Sequence, residues 1–242
     1  MKQGLTHIHF ILDRSGSMDV IKKDTIGGFN TFLKAQKAAP GEATMTLVQF
    51  DTQDPYEVIT DRKSVGEAKE LTSRSFMPRA GTPLYDAVGR GINELGKQLG
   101  DLPEEQRPEK VAFVILTDGE ENSSKEFTQA QVLQMIKHQT EKYAWQFMFL
   151  GANIDAISVA KGIGINPNSA MTFVANAIGT TSAYAGVARC MTSYRAGGQS
   201  LSFDAQAYAD QQVASGGAGS AALGFMAPPA GLKKGRKAKV TT

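Results

Sequence analysis

Ile8-His9-Phe10-Ile11-Leu12-Asp13-Arg14-Ser15-Gly16-Ser17 is the stretch on which the reading of this chain turns. An apolar run, Ile8 to Leu12, stops at an aspartate followed by two serines at alternate positions and a glycine, and a helix-like stretch comes next. That is the pattern of a buried strand whose closing turn gathers one carboxylate and two hydroxyls. Oxygen donors of this kind suit a hard divalent cation such as Mg²⁺, which takes few protein oxygens and keeps several waters.

Working outward, strand-like and helix-like patterns alternate along the chain, which argues for an α/β domain of parallel strands with helical crossovers. Residues 5–12 read as the first strand, and Ile26, Phe29 and Leu33 then form one helical stripe ending near Pro40-Gly41. Residues 44–50 are a strand with 56–60 as hairpin partner, and Pro55 places that partner at a sheet edge. A short helix is expected within 64–71. Leu84, Val88, Ile92, Leu95 and Leu99 recur at helical spacing, and 111–116 is apolar throughout, as in a central strand covered on both faces. Thr128 with Gln131 reads as a capping box. A buried strand at 145–150, a short helix to about Lys161, a last strand at 170–174 and a last helix at 182–194 complete the pattern.

Two further pieces lie at element ends: Gly81-Thr82-Pro83 before a helix, and Leu116-Thr117-Asp118-Gly119 after a strand. Taken singly, each piece has an ordinary reading. Ser17 and Thr82 could cap helices, and Asp118 could be a turn aspartate. Their joint occurrence points instead to one site. In an open parallel sheet, ligands bind beyond the carboxyl ends of the strands, near where strand order reverses.

Together these pieces resemble the metal-ion-dependent adhesion site (MIDAS) of the von Willebrand factor A (VWA) family, over the stretch from about Leu5 to about Tyr194. The resemblance implies a doubly wound, Rossmann-like three-layer sandwich, its central sheet mostly parallel with one antiparallel edge strand. It implies that Ser15, Ser17 and Thr82 offer hydroxyls directly to Mg²⁺ or Mn²⁺. Asp13 and Asp118 then supply charge largely through bound water. Neutral hydroxyls leave the ion electrophilic, so an Asp or Glu of a protein partner can take the open position. That is binding chemistry, and no enzyme activity is expected. The chain also resembles stand-alone intracellular bacterial VWA proteins, including those associated with tellurite resistance, which implies a scaffold or adaptor role.

Composition bounds the alternatives. With 41% hydrophobic and 21% charged residues, the 242-residue chain can bury a substantial core, and overall disorder is excluded. The single cysteine, Cys190, excludes an internal disulfide and cysteine-cluster zinc sites, and a buried thiol is expected. No secretory signal and no apolar run long enough for a bilayer are visible, so a cytoplasmic location is expected. The expected organisation is a domain at 1–196, an extension at 197–212 that docks through Leu201, Phe203 and Tyr208, and a flexible linker with a basic tail at 213–242. Lys233, Lys234, Arg236, Lys237 and Lys239 make that tail basic. Without them, 21 of the 26 basic residues face 24 acids.

The basic tail could meet nucleic acid or an acidic protein face, although it has no aromatic residues to stack on bases. A metal-dependent phosphohydrolase with Asp13 as nucleophile is the rival, but position 15 holds Ser where that chemistry wants a second carboxylate. His7 and His9 lie on the first strand, with His9 about 13 Å from Asp13 at 3.3 Å per residue. They are expected to be hydrogen-bonded strand histidines. Glu120 and Glu121 are expected to be solvated loop acids.

Overall fold

A computed structural model describes residues 1–152 and 154–216. The elements run β1 (Lys2–Asp13), α1 (Lys22–Ala38), β2 (Glu42–Phe50), β3 (Glu57–Ser64), α2 (Leu84–Gly100), β4 (Pro108–Thr117), α3 (Gln129–Tyr143), β5 (Gln146–Ala152), α4 (Ala156–Gly162), β6 (Ala170–Phe173), α5 (Ala177–Arg195) and α6 (Ala205–Ala214). A 3₁₀ turn at Gly16–Ile21 joins β1 to α1. The strands form one sheet in the order β3-β2-β1-β4-β5-β6. Every neighbouring pair is parallel except β2 with β3, the edge strand that follows Pro55.

Side-chain alternation on β1 builds the two outer layers. Ile8, Phe10 and Leu12 face a core shared with α1, α5 and α6, whereas Ile11 faces the core under α2, α3 and α4. On the first side the helices come very close. A Cβ at Gly28 of α1 would lie 2.3 Å from the ring of Tyr184 on α5. Arg195, at the end of α5, donates to Gln36 O at 2.6 Å and Gly41 O at 2.9 Å, which covers carbonyls left open at the end of α1. Cys190 is buried and its thiol donates to Ser202 O at 3.0 Å. Burial pushes that thiol up to about 11.

The capping box forms as read: Thr128 accepts from Gln131 N while the Gln131 side chain accepts from Thr128 N. The helix expected within 64–71 does not. Asn30 of α1 holds that segment open by accepting from Leu71 N at 2.8 Å and donating to Leu71 O at 2.9 Å, while Val65 N bonds to Ala43 O at 3.0 Å. The last helix of the domain begins earlier than 182, because Asn176 caps it by accepting from Gly179 N at 2.7 Å. Beyond it, Leu201 is fully buried and Phe203 nearly so, packed into the α1/α5 core, and α6 follows where no helix was read. The linker and basic tail expected at 213–242 lie, from residue 217 on, outside the described residues. Among the described residues no helix is long and apolar enough to cross a membrane.

Candidate metal centre

Strand order reverses between β1 and β4, whose ends lie side by side with Leu12 paired to Leu116. The next residues are Asp13 and Thr117, so residues about a hundred apart in sequence become neighbours. Asp13 is fully buried and both of its oxygens are held: Oδ1 accepts from Ser15 N and Oδ2 from Thr117 Oγ1, each at 2.6 Å. Ser15 Oγ lies 3.1 Å from Ser17 Oγ, and Ser17 Oγ donates to Asp118 Oδ1 at 2.7 Å. Thr82 reaches the same spot from the loop before α2. A methyl placed on Gly119 would sit 3.4 Å from Thr82 Oγ1 and 3.8 Å from Ser17 Oγ. All five expected residues, Asp13, Ser15, Ser17, Thr82 and Asp118, are therefore gathered at one end of the sheet.

The ordinary readings of the hydroxyls do not hold. The 3₁₀ turn after Ser15 and helix α2 after Pro83 each lack a side-chain cap. Ser17 turns to Asp118 instead, and the Thr82 hydroxyl lies beside Gly119. Thr82 is positioned through its backbone, with Thr82 N donating to Asn122 Oδ1 at 3.0 Å and Thr82 O accepting from Asn122 N at 3.2 Å.

Electrostatics decide whether a cation fits. Burial pushes the Asp13 carboxyl up to about 7. Hydrogen bonds from Thr117 and Ser15 oppose the rise, and the nearby Asp118 charge adds to it. Burial also raises Asp118, against the hydrogen bond from Ser17. Arg14 stands between Asp13 and Ser15 in sequence, but its guanidinium turns away to Asp51 and Glu57. One buried and one partly buried carboxylate thus lie together with no ion-pair partner among the described residues, an arrangement that costs free energy unless a positive charge is supplied. Among the described residues no three His, Cys, Asp or Glu side chains assemble as a metal cluster. The donors at this edge are two carboxylates and three hydroxyls, all oxygen, and a hard divalent cation fits them.

Sequence reasoning missed the residues that hold the loops in place. Asp51, fully buried at the end of β2, accepts from Arg14 Nε at 2.8 Å and Arg79 Nε at 2.9 Å, and its other oxygen accepts from Gln53 N at 2.7 Å. Arg79 N donates to Arg14 O at 2.9 Å and Gly16 N to Ala80 O at 3.0 Å. The Asp13 loop and the Thr82 loop are stitched together in this way. Glu121, expected as a solvated acid, instead organises the third loop by accepting from Ser123 N at 2.7 Å, Ser124 N at 2.6 Å and Tyr85 N at 2.9 Å. Asp86, buried on α2, accepts from Lys125 N at 2.8 Å and from Glu126 N and Phe127 N at 2.9 Å.

No protein-family model matches the chain, and no curated protein matches it in sequence. Solved structures do match. The pilus adhesin SpaC from Lactobacillus rhamnosus GG aligns with TM-score 0.60 and 14% identity, over 80% of this chain and 30% of that one. A von Willebrand factor type A structure from Catenulispora acidiphila aligns with TM-score 0.50 and 17% identity, over 79% and 42%. Proximal thread matrix protein 1 from the mussel byssus, with zinc occupying its MIDAS motif, aligns with TM-score 0.53 and 11% identity, over 75% and 46%. The chain spans less than half the length of each of these structures. At such identities the likeness is one of fold, and the fold is that of the von Willebrand factor A domains.

Proposed function

We propose that the chain is a metal-dependent protein-binding module in which Ser15, Ser17 and Thr82 hold Mg²⁺ or Mn²⁺ directly. The observation that carries this reading is the buried Asp13 carboxylate and the partly buried Asp118 carboxylate beside three hydroxyls, with no cationic partner among the described residues. Such an ion supplies an electrophilic open position that a partner's Asp or Glu carboxylate can fill. Around it, Asp13 keeps Ser15 in place through its backbone N–H, Asp118 orients the Ser17 hydroxyl, and Asn122 fixes Thr82. A binding role without bond making is favoured because both Asp13 oxygens are engaged and position 15 is Ser, so neither a free nucleophile nor an adjacent acid is offered. The fold shared with an adhesin and a byssus matrix protein supports a binding role in general. An intracellular adaptor role is the finer part of the proposal. Affinity capture from the native cell tests it, run in Mg²⁺ and in chelator with the wild type and Thr82→Ala. A partner retained only by the wild type in metal is expected, and the same partners in all four arms would overturn the reading.

A further inference from the structure

Among the described residues seven large apolar side chains are exposed, and their placement is uneven. Four of them, Val20, Met77, Ile178 and Val213, stand at the sheet edge that carries Asp13, Ser17 and Thr82, with Val20 83% and Val213 72% exposed. Single exposed apolar residues need no explanation, but a group beside one site marks an interaction surface.

Val20 lies on the 3₁₀ turn at Gly16–Ile21, where three residues make one turn and side chains three apart share a face. Met18 and Ile21 form its buried stripe. Ser17 and Val20 form an exposed one, about 6 Å apart along the axis. Met77 reaches this turn on the segment before Thr82. That segment climbs along α1, with Ala68 O accepting from Lys37 Nζ at 2.9 Å and Leu71 N donating to Asn30 Oδ1 at 2.8 Å. It ends with Phe76 buried in the core that holds Met18 and Ile21, and Met77 is the next residue.

Helix α5 carries the row away from the metal centre. It follows β6, which is parallel to β5, so it starts at the same edge of the sheet. It lies along α1 in the same direction, with Tyr184 against Gly28 and Ala188 O accepting from Gln36 Nε2 at 3.2 Å. Their first turns are therefore level, and Ile178 stands beside the start of α1. Helix α6 runs back along α5, with Ala207 on Gly186, Gln211 Nε2 donating to Gly179 O at 2.8 Å and Asn176 Nδ2 to Ala214 O at 3.1 Å. Val213, in the last turn of α6, thus returns to the first turn of α5. Neighbouring helices pack about 8–10 Å apart, so Val20 to Val213 spans on the order of 20 Å.

We propose that this row receives the apolar flank of the partner segment whose carboxylate fills the open position of the metal. The proposal rests on the metal reading above and names the chemistry of the partner. That partner presents one Asp or Glu, with apolar side chains on one side of it over about six extended residues. Two features favour this occupant. Ser17 and Val20 share one exposed face, so a chain that reaches the ion passes over Val20. A carboxylate is common to every acidic surface, whereas the row adds apolar contacts that only some acidic segments match.

The test is selection on the full chain, in Mn²⁺, of displayed peptides with one central Asp and randomised flanks of about six residues. Calorimetry measures Mn²⁺ binding in parallel. Enriched peptides are expected to carry Leu, Ile, Phe or Met on one flank and to be released by EDTA. A synthetic copy of an enriched peptide should bind the double variant Ile178→Ser, Val213→Ser about tenfold or more weakly, while that variant melts as the wild type does. Metal-dependent peptides without a flank preference, bound equally by the variant, would overturn the proposal and leave the metal reading standing. Peptides retained in EDTA, or no Mn²⁺ binding by the wild type, would remove the metal reading and the proposal with it. Enrichment from Phe225→Ser but not from the wild type would give the row to the chain's own C-terminal segment. A dimer in sedimentation that Ile178→Ser dissolves would give it to a second copy, and either result would overturn the proposal.

Discussion

Replacing Asp13 by Asn should stabilise the metal-free protein and abolish its response to metal. In the fold the Asp13 carboxyl titrates at about 7 against an ordinary 3.8. For an acid raised in this way, the unfolded chain gives up its proton first. Stability therefore falls as pH rises from 3.8 to about 7 and is level beyond. Three pK units at about 1.4 kcal/mol each put the cost of the ionised group at roughly 4 kcal/mol at pH 8. Asn removes that charge but keeps a single acceptor for two donors, Thr117 Oγ1 and Ser15 N, and an unmatched donor costs about 1–3 kcal/mol. The expected balance in EDTA at pH 8 is a gain of about 1–3 kcal/mol, a rise of several degrees in Tm. At pH 5 the advantage shrinks, because the wild-type carboxyl is then mostly protonated in the fold. In Mn²⁺ at about a hundred times Kd, the wild type gains about 2.7 kcal/mol and the variant nothing, so the order narrows or reverses. Urea denaturation at both pH values, with EDTA and with Mn²⁺, measures all four quantities. Destabilisation by Asn in EDTA at pH 8, or an equal gain from Mn²⁺ in both proteins, would refute the reasoning.

Thr82→Ala should abolish metal-dependent partner binding and shift stability by no more than about 1 kcal/mol, since the Thr82 hydroxyl does not cap α2; melting curves beside partner titrations check this. Asp51→Asn breaks the carboxylate that Arg14 and Arg79 share and leaves a buried guanidinium short of charge. A loss of about 3–5 kcal/mol in urea denaturation is expected, together with weaker Mn²⁺ affinity as the two loops part. His7 is lowered from 6.5 to about 3, chiefly by burial and then by Arg62, so it contributes stability that is complete above 6.5 and is lost as pH falls toward 3. His7→Gln should flatten the acid limb of the stability profile across that window, and an unchanged limb would show that the ring is not buried neutral.

How much of this was legible depends on how far apart the causes lie in sequence. The turn at Asp13, the edge strand after Pro55 and the capping box at Thr128 are local patterns, and each forms as read. The gathering of Asp13, Thr82 and Asp118 was legible because each piece sits at an element end that the α/β pattern brings to one edge. Asp51 and Asn122 were not legible, because their partners lie 28 to 40 residues away and no local pattern marks them. The segment at 64–71 was misread for the same reason: it closes a single turn, with Ala68 N bonded to Ser64 O, and its end at Leu71 is held by Asn30, 41 residues earlier. Helix α6 is short and weakly patterned, and what fixes it is packing of Phe203 and Ala207 against Gly186 of α5. The histidines were read correctly as hydrogen-bonded, His7 to Thr44 at 2.9 Å and His9 to Tyr56 at 3.3 Å.

Anomalous difference density from crystals of the chain grown in Mn²⁺ tests the central claim most directly. The account predicts one strong peak within coordination distance of Ser15 Oγ, Ser17 Oγ and Thr82 Oγ1, with Asp13 and Asp118 reached largely through water. No peak at that edge of the sheet, or a peak only elsewhere on the molecule, would contradict it.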